Sequence, residues 1–317
     1  MAGILQKEGI AKRVPYQGLV TFWRCDHTQN LEGADLAVYG IPFDVEIFNR
    51  PGARYGPRSI REQSLYIGMP GVHWPFDYDL RDRLRLIDFG DIAFYPGQTT
   101  DMLVNVEESV TLMSEKGIGT LGLGGDHLVA YPAIKAHAKK YGKLSLIHFD
   151  AHTDTHGGPV LNHGSMFIYA ANEGLIDPKT SVQIGIRTII PENDEFNVFT
   201  SHECIDMGSK KLLEKIRNIV GERPCYISLD VDGMDPAYAP GTGTPVPGGI
   251  TSAMQREILW GLVGLNAVGG DVVEVSPPYD PSHITAILGA TIAMDILYVL
   301  AVAPILVKQR SKSALSV

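Results

Sequence analysis

Seven apolar runs, each of strand length, recur along this chain with helical patterns between them, and several stop abruptly at acid or imidazole. The runs are LAVYGI (36–41), LRLIDF (84–89), IGTLGLG (118–124), KLSLIHF (143–149), SVQIGI (181–186), PCYISL (224–229) and AVGGDVVEV (267–275). Helical patterns are read at 102–116, 129–141, 208–220, 253–265 and 282–300. A strand that is apolar throughout is buried on both faces, and strands alternating with helices imply a parallel sheet covered on both sides. No composition break, long linker or repeat divides the chain. One doubly wound α/β domain over 1–317 is therefore expected, with residues 1–33 as an N-terminal extension packing on the core. In such sheets ligands sit beyond the carboxyl ends of the strands.

Bulk composition narrows the partners. With 44% hydrophobic residues the chain has enough apolar material for a large core, and its net charge of −9 disfavours nucleic acid or an anionic membrane while permitting a cationic ligand. The three cysteines, Cys25, Cys204 and Cys225, are not spaced as a metal knuckle or redox pair, which suits a reduced, cytoplasmic chain. The N-terminus lacks the apolar core of a signal peptide. The segment 284–307 is long and apolar. Asp295 in its middle and Pro304 near its end make it a core helix rather than a membrane span.

GIGTLG, Gly117 to Gly122, matches a dinucleotide fingerprint in letters only. Its glycines precede and enter the apolar run instead of following it, and no acid occurs between Asp126 and Asp150. Glycines that permit close packing explain it better. The polar residues at the ends of the runs are another matter. The third run ends in Asp126 and His127, the fourth in Asp150, His152 and Asp154, the sixth in Asp230 and Asp232, and the seventh in Glu274. Residues at i, i+2 and i+4 of an extended chain project to one side, so these groups converge. Four carboxylates packed together repel one another and are costly to desolvate. Two divalent cations carry +4 against the −4 of Asp150, Asp154, Asp230 and Asp232, with His127 and His152 neutral. Oxygen and imidazole donors without thiolate suit Mn²⁺ or Mg²⁺, with Zn²⁺ a competitor.

GLGGDH, HFDAHTDT, NHGSMF, SLDVDGMDPAYAPGTGTP and GGDVVEVSPPYD together resemble the ureohydrolases, the arginase and agmatinase family. The likeness covers nearly the whole chain. RPGARYGPRSIREQS, WPFDYDLRDRL and EGLIDPKTSVQIGIR look closest to the bacterial agmatinase branch. The resemblance implies a single three-layer α/β domain with a mostly parallel eight-stranded sheet and a pair of Mn²⁺ ions per subunit. It implies that His127 and Asp154 hold one ion, that His152 and Asp232 hold the other, and that Asp150 and Asp230 bridge them. Glu274 would bind the substrate guanidinium, Asp232 would move a proton from a metal-bridging hydroxide, and His163 would serve as a proton shuttle and touch the substrate. Asp235 is expected to fix a loop or a ligand imidazole. His148 and His156 carry no assigned role. The family also implies a homo-oligomer, a trimer or hexamer.

The loop between Asp154 and His163, THGGPVLN, holds one hydroxyl side chain, Thr155, and is ill-suited to an amino-acid head group. Agmatine, a small cationic guanidine yielding putrescine and urea, fits better. Glu46 is a possible counter-charge for its amine. Arg50 and Arg54 would instead suit a carboxylate, as in 4-guanidinobutyrate. A non-catalytic protein stapled by metal is the alternative of a different class. His163 and Glu274, which no metal needs, speak against it.

Overall fold

Alternation inside each apolar run sends neighbouring side chains to different cores. The structure, a computed structural model, describes residues 14–68, 71–192 and 195–314. Its strands are β1 Asp26–His27, β2 Leu36–Gly40, β3 Leu86–Asp91, β4 Gly119–Leu123, β5 Ser145–Phe149, β6 Val182–Ile186, β7 Asn197–Thr200, β8 Pro224–Asp230 and β9 Asn266–Val273. Its α-helices are α1 Gly56–Ile67, α2 Thr99–Glu115, α3 Ala130–Tyr141, α4 Met166–Asn172, α5 Ser201–Val220, α6 Ser252–Gly261, α7 Ile284–Ala301 and α8 Pro304–Ala314. Every strand pair is parallel, in the order β1-β3-β2-β4-β9-β8-β5-β6-β7. Val38, Ile147 and Ile227 face a core shared with α1, α5, α6 and α7. Their neighbours Ala37, Leu146 and Tyr226 face a second core shared with α2, α3 and α4. This is the three-layer α/β domain expected.

The sheet has nine strands rather than eight. The two strands that no apolar run announced, β1 and β7, are its two edges, and β7 is only half-buried. An edge strand is covered less completely and needs no continuous apolar run. In the expected extension, residues 1–13 lie outside the described residues. Further along it, Phe22 and Trp23 are buried, and their N–H groups donate to Asp88 Oδ2 and Ser64 Oγ, both at 2.7 Å.

Helix α5 begins at Ser201, seven residues before the expected start of 208. Thr200 and Glu203 close a reciprocal capping box there, and Gly208, with φ 71°, interrupts the apolar period that follows. Helix α7 is apolar enough to cross a membrane, but it is packed inside the domain. Asp295 on it is fully buried and takes two hydrogen bonds from Arg256, at 2.7 and 3.2 Å. The GIGTLG glycines serve packing: a Cβ on Gly119 would stand 2.7 Å from Leu306 Cδ1. The acid-bearing run ends belong to β4, β9, β8 and β5, four contiguous strands, so their polar residues emerge along one edge.

Candidate metal centre

Register brings the acids together. Phe149 pairs with Leu229, so Asp150 and Asp230 leave adjacent strands side by side. Across β9, Leu229 pairs with Val272, as does Leu123 of β4. The GGDH turn beyond β4 lies hard against the turn after β2: a Cβ on Gly125 would meet Phe43 O at 1.6 Å, so only glycine fits. That close approach sets His127 beside the aspartates. Asp154 and Glu274 hold φ values of 51° and 63°. Side chains other than glycine rarely occupy this region, at a cost of order 1–3 kcal/mol each, and such residues concentrate at functional sites.

His127 is fully buried, and its tautomer follows from its neighbours. Ser228 Oγ donates to Asp271 Oδ1 at 2.7 Å, so it accepts from His127 Nε2–H at 2.8 Å. The lone pair is then on Nδ1. That atom lies 2.8 Å from Asp154 Oδ2, 3.1 Å from Asp150 Oδ2 and 3.6 Å from Asp230 Oδ2, yet makes no hydrogen bond of acceptable geometry. In the neutral ring a buried lone pair among carboxylate oxygens is unfavourable, so a proton or a metal cation belongs between them. Burial opposes the proton, but Asp150 and Asp154 outweigh it and raise His127 well above its ordinary value. His127, His148, Asp150 and Asp154 can direct one donor atom each at a common point, and so can Asp150, His152 and Asp232. Asp150 is shared by both groups. Asp230 stands just outside them, with Oδ1 accepting from Asp232 N at 2.7 Å.

Electrostatics agree with the geometry. Burial raises the Asp230 carboxyl well above its ordinary value, with Asp232, Asp150 and Glu274 adding to the rise. Burial and Asp150 lift Asp232 to about 6. Burial alone would lower His152, but hydrogen bonds to Asp150 and Asp232 hold it up at about 11. Without metal Asp230 and His152 hold protons they would shed to a divalent ion. The donor set and the orphaned nitrogen are consistent with a binuclear metal site.

His148, left without a role by the sequence, is completely buried here. Gln183 Nε2 donates to its Nδ1 at 3.3 Å, which leaves its Nε2–H to donate to Asp150 Oδ2 at 2.8 Å. Its supporting role had a sequence signal: it lies two residues before Asp150, on the same side of the strand. Ser228 stands likewise two before Asp230. Thr244, which donates to Asp232 Oδ2 at 3.0 Å, comes from a distant loop and gave no such signal. Asp235 accepts from Ala237, Gly248 and Gly249 N–H groups, so it fixes a loop and touches no imidazole.

A cavity of about 210 Å³ opens on the cluster, lined among others by Phe48, His152, Asp154, His163, Asp230 and Thr244. His163 Nε2 accepts from Phe48 N at 3.1 Å, so its Nδ1–H donates to Glu274 Oε1 at 3.0 Å. Glu274 stands behind His163, and its Oε1 also accepts from His127 N at 2.9 Å. Burial opposes a charge on His163, but Glu274 and the surrounding acids outweigh it and raise its pKa. His156 lies exposed at the mouth. Glu46 accepts from Thr99 Oγ1 at 2.6 Å. Arg54 is paired with the buried Asp44, which also accepts from Gly52 N at 2.7 Å. Arg50 lies over the Tyr279 ring at 5.2 Å.

Residues 34–298 match the profile of the arginase family. An agmatinase of Proteus mirabilis is 47% identical over 266 residues, covering 84% of this chain and 87% of the relative. An agmatinase of Neisseria meningitidis serogroup C is 46% identical over the same shares. Among solved structures, a hypothetical agmatinase from Burkholderia thailandensis superposes with a TM-score of 0.88 at 44% identity, covering 91% of this chain and 92% of the other. Proclavaminate amidinohydrolase from Streptomyces clavuligerus superposes with a TM-score of 0.86 at 36% identity, covering 92% and 99%.

Proposed function

The chain belongs to the arginase family, and on that premise we propose that it is an agmatinase, hydrolysing agmatine to putrescine and urea with two Mn²⁺ ions per subunit. The observation that carries this reading is the orphaned His127 Nδ1 among Asp150, Asp154 and Asp230. His127 and Asp154 are assigned to one ion, His152 and Asp232 to the other, and Asp150 and Asp230 to both. When bound, such ions supply the Lewis acidity that makes water a nucleophile near neutral pH.

The protein's own groups do the rest. A guanidinium carbon is a poor electrophile because three nitrogens share its charge, so orientation matters. Glu274 has an oxygen, Oε2, facing Gly243, where a Cβ would stand only 3.4 Å away. Glu274 is assigned to pair with the guanidinium as a fork, once His163 turns from Oε1. Asp232 accepts the proton that the attacking water sheds and passes it to the leaving nitrogen. His163 protonates the departing amine.

The choice of agmatine is supported by what the loop arginines already do. Arg54 is committed to Asp44, which leaves Arg50 as the group favouring a carboxylate substrate such as 4-guanidinobutyrate. Glu46 accepts from the neutral Thr99 hydroxyl through Oε1 and keeps its charge, so it stays the candidate counter-charge for the amine. A non-catalytic metal-stapled protein would have no use for the His163–Glu274 pair. A homo-oligomer and a cytoplasmic location are expected from the family resemblance. The deciding experiment compares kcat/KM for urea release from agmatine and 4-guanidinobutyrate at one Mn²⁺ loading. Agmatine is expected to win by roughly 10–150-fold, the worth of one charge-assisted contact. A tenfold preference for the acid would transfer the reading to a guanidinobutyrase.

A further inference from the structure

Arg187 follows β6 and enters no ion pair among the described residues, although it stands close to a cluster of acids. Its guanidinium is spent on main-chain carbonyls. Nε donates to Val246 O at 3.0 Å. Nη1 donates to Gly185 O at 2.9 Å and Gly233 O at 3.1 Å. Nη2 donates to Asp232 O at 2.6 Å, Val246 O at 2.7 Å and Met234 O at 3.2 Å. The side chain is half-buried. A half-buried cation with all its N–H groups on carbonyls is an uncommon use of arginine, whose planar fork ordinarily meets carboxylate or phosphate.

The three segments it joins are the loop that bears Asp232 and two that pack against it. Residues 232–234 form the loop that bears Asp232. Residue 246 belongs to the loop that bears Thr244, whose hydroxyl donates to Asp232 Oδ2 at 3.0 Å. Gly185 ends β6. Arg187 also reaches the third ligand loop through its backbone: its N–H donates to Ala151 O at 3.0 Å, and Thr188 Oγ1 donates to the same carbonyl at 3.0 Å. Ala151 N in turn donates to Asp232 Oδ1 at 3.0 Å. Both oxygens of Asp232 are therefore aimed by groups on loops that Arg187 holds, Ala151 directly and Thr244 through Val246 two residues on. His127, on the turn after β4, has no link to this fork.

We propose that Arg187 is a positioning residue for the ion assigned to His152 and Asp232, fixing the carbonyl frame on which Asp232 and Thr244 stand. It rests on the binuclear reading above. Lysine offers three donors from one compact nitrogen and cannot span three segments, so Arg187→Lys keeps the charge and loses the frame.

The test titrates metal-free wild-type, Arg187→Lys, Arg187→Met and Asp232→Asn chains with Mn²⁺ by calorimetry, and follows the manganese spin-resonance spectrum. Wild type is expected to take up two ions with a coupled-pair spectrum. In Arg187→Lys the same binding step that Asp232→Asn abolishes should weaken by about 10–100-fold, the range for partners that orient a ligand, while the other step holds. The spectrum should turn to that of isolated ions. Thr244→Val, which leaves the fork intact, should weaken the same step by less and stands in if the arginine variants do not fold. A wild-type chain binding fewer than two ions overturns the binuclear reading and this inference with it. Two ions in wild type, with both affinities unchanged in Arg187→Lys and Thr244→Val, overturn this inference alone, even if Arg187→Lys melts earlier.

Discussion

Two clusters of acids at the carboxyl edge of the same sheet are neutralised in opposite ways. On β3, Asp88 in mid-strand takes Arg61 Nε at 2.8 Å and Nη2 at 3.0 Å, while Asp91 at the strand end takes Nη1 at 2.5 Å. Phe22 and Gly90 N–H groups complete Asp88, at 2.7 and 2.9 Å. The cation is part of the chain, and the cluster is closed. At the ends of β5 and β8, Asp150, Asp154, Asp230 and Asp232 form no ion pair with lysine or arginine among the described residues. Their partners are imidazoles and N–H groups. Even Arg187, near at hand, gives its donors to carbonyls. A buried acid with its own guanidinium serves the fold. A surplus left open to the cavity waits for a cation from outside.

The sharpest way to break this contrast is to remove one acid from each cluster. Asp150→Asn should cut urea release by more than about 10³-fold, because the shared ligand of both ions is gone, while the metal-free fold stands. Asp88→Ala should do the reverse. It leaves the buried Arg61 guanidinium with only the half-exposed Asp91 and should cost up to about 3–5 kcal/mol of stability, measurable by denaturant unfolding, with turnover per folded molecule kept. Equal losses of stability in the two variants would erase the distinction.

His163→Ala comes next in size. It should retain both ions and lose about 10²–10⁴-fold in turnover, the usual range for a general acid. Ion content falling in step with rate would make His163 a support of the cluster instead. Chelation is a smaller perturbation. Each ion at a hundred times its dissociation constant adds about 2.7 kcal/mol, so stripping metal should lower the melting temperature of wild type and leave Asp150→Asn nearly unchanged.

The smallest effect is in pH. His152 is raised from 6.5 to about 11 in the metal-free chain. A raised folded-state pKa stabilises fully below the unfolded value and is lost as pH climbs through the folded one. Metal-free protein should therefore lose stability from about pH 6.5 upward. Loaded protein should move the other way over pH 6.5–9, since ligands must give up protons to bind the ions. Parallel melting profiles with and without Mn²⁺ would contradict this.

How much of this was visible in letters follows from burial. The seven central strands are largely buried on both faces and read as mainly apolar runs. β1 and β7, at the edges, did not. Helix α1, in GPRSIREQSLYI, was hidden because its buried face includes Arg61, Gln63 and Ser64, and of these Arg61 is explained by Asp88 and Ser64 by the Trp23 N–H. The clustering of the acids was legible because strand ends and period-two spacing announce themselves. Thr244 and Arg187 were not, since their roles depend on loops meeting in space. The substrate's far end was the least legible: that Arg54 is paired is decided by Asp44, a partner that sequence alone does not supply.

The central claim is that divalent ions supply the charge the Asp150 cluster lacks. The most direct measurement is an anomalous difference map from crystals grown with Mn²⁺. The expected result is two peaks roughly 3.5–4 Å apart, each within bonding distance of Asp150 and Asp230, with His127 on one and His152 on the other. A single fully occupied peak, or none with the four carboxylates satisfied by protons and water, would contradict it.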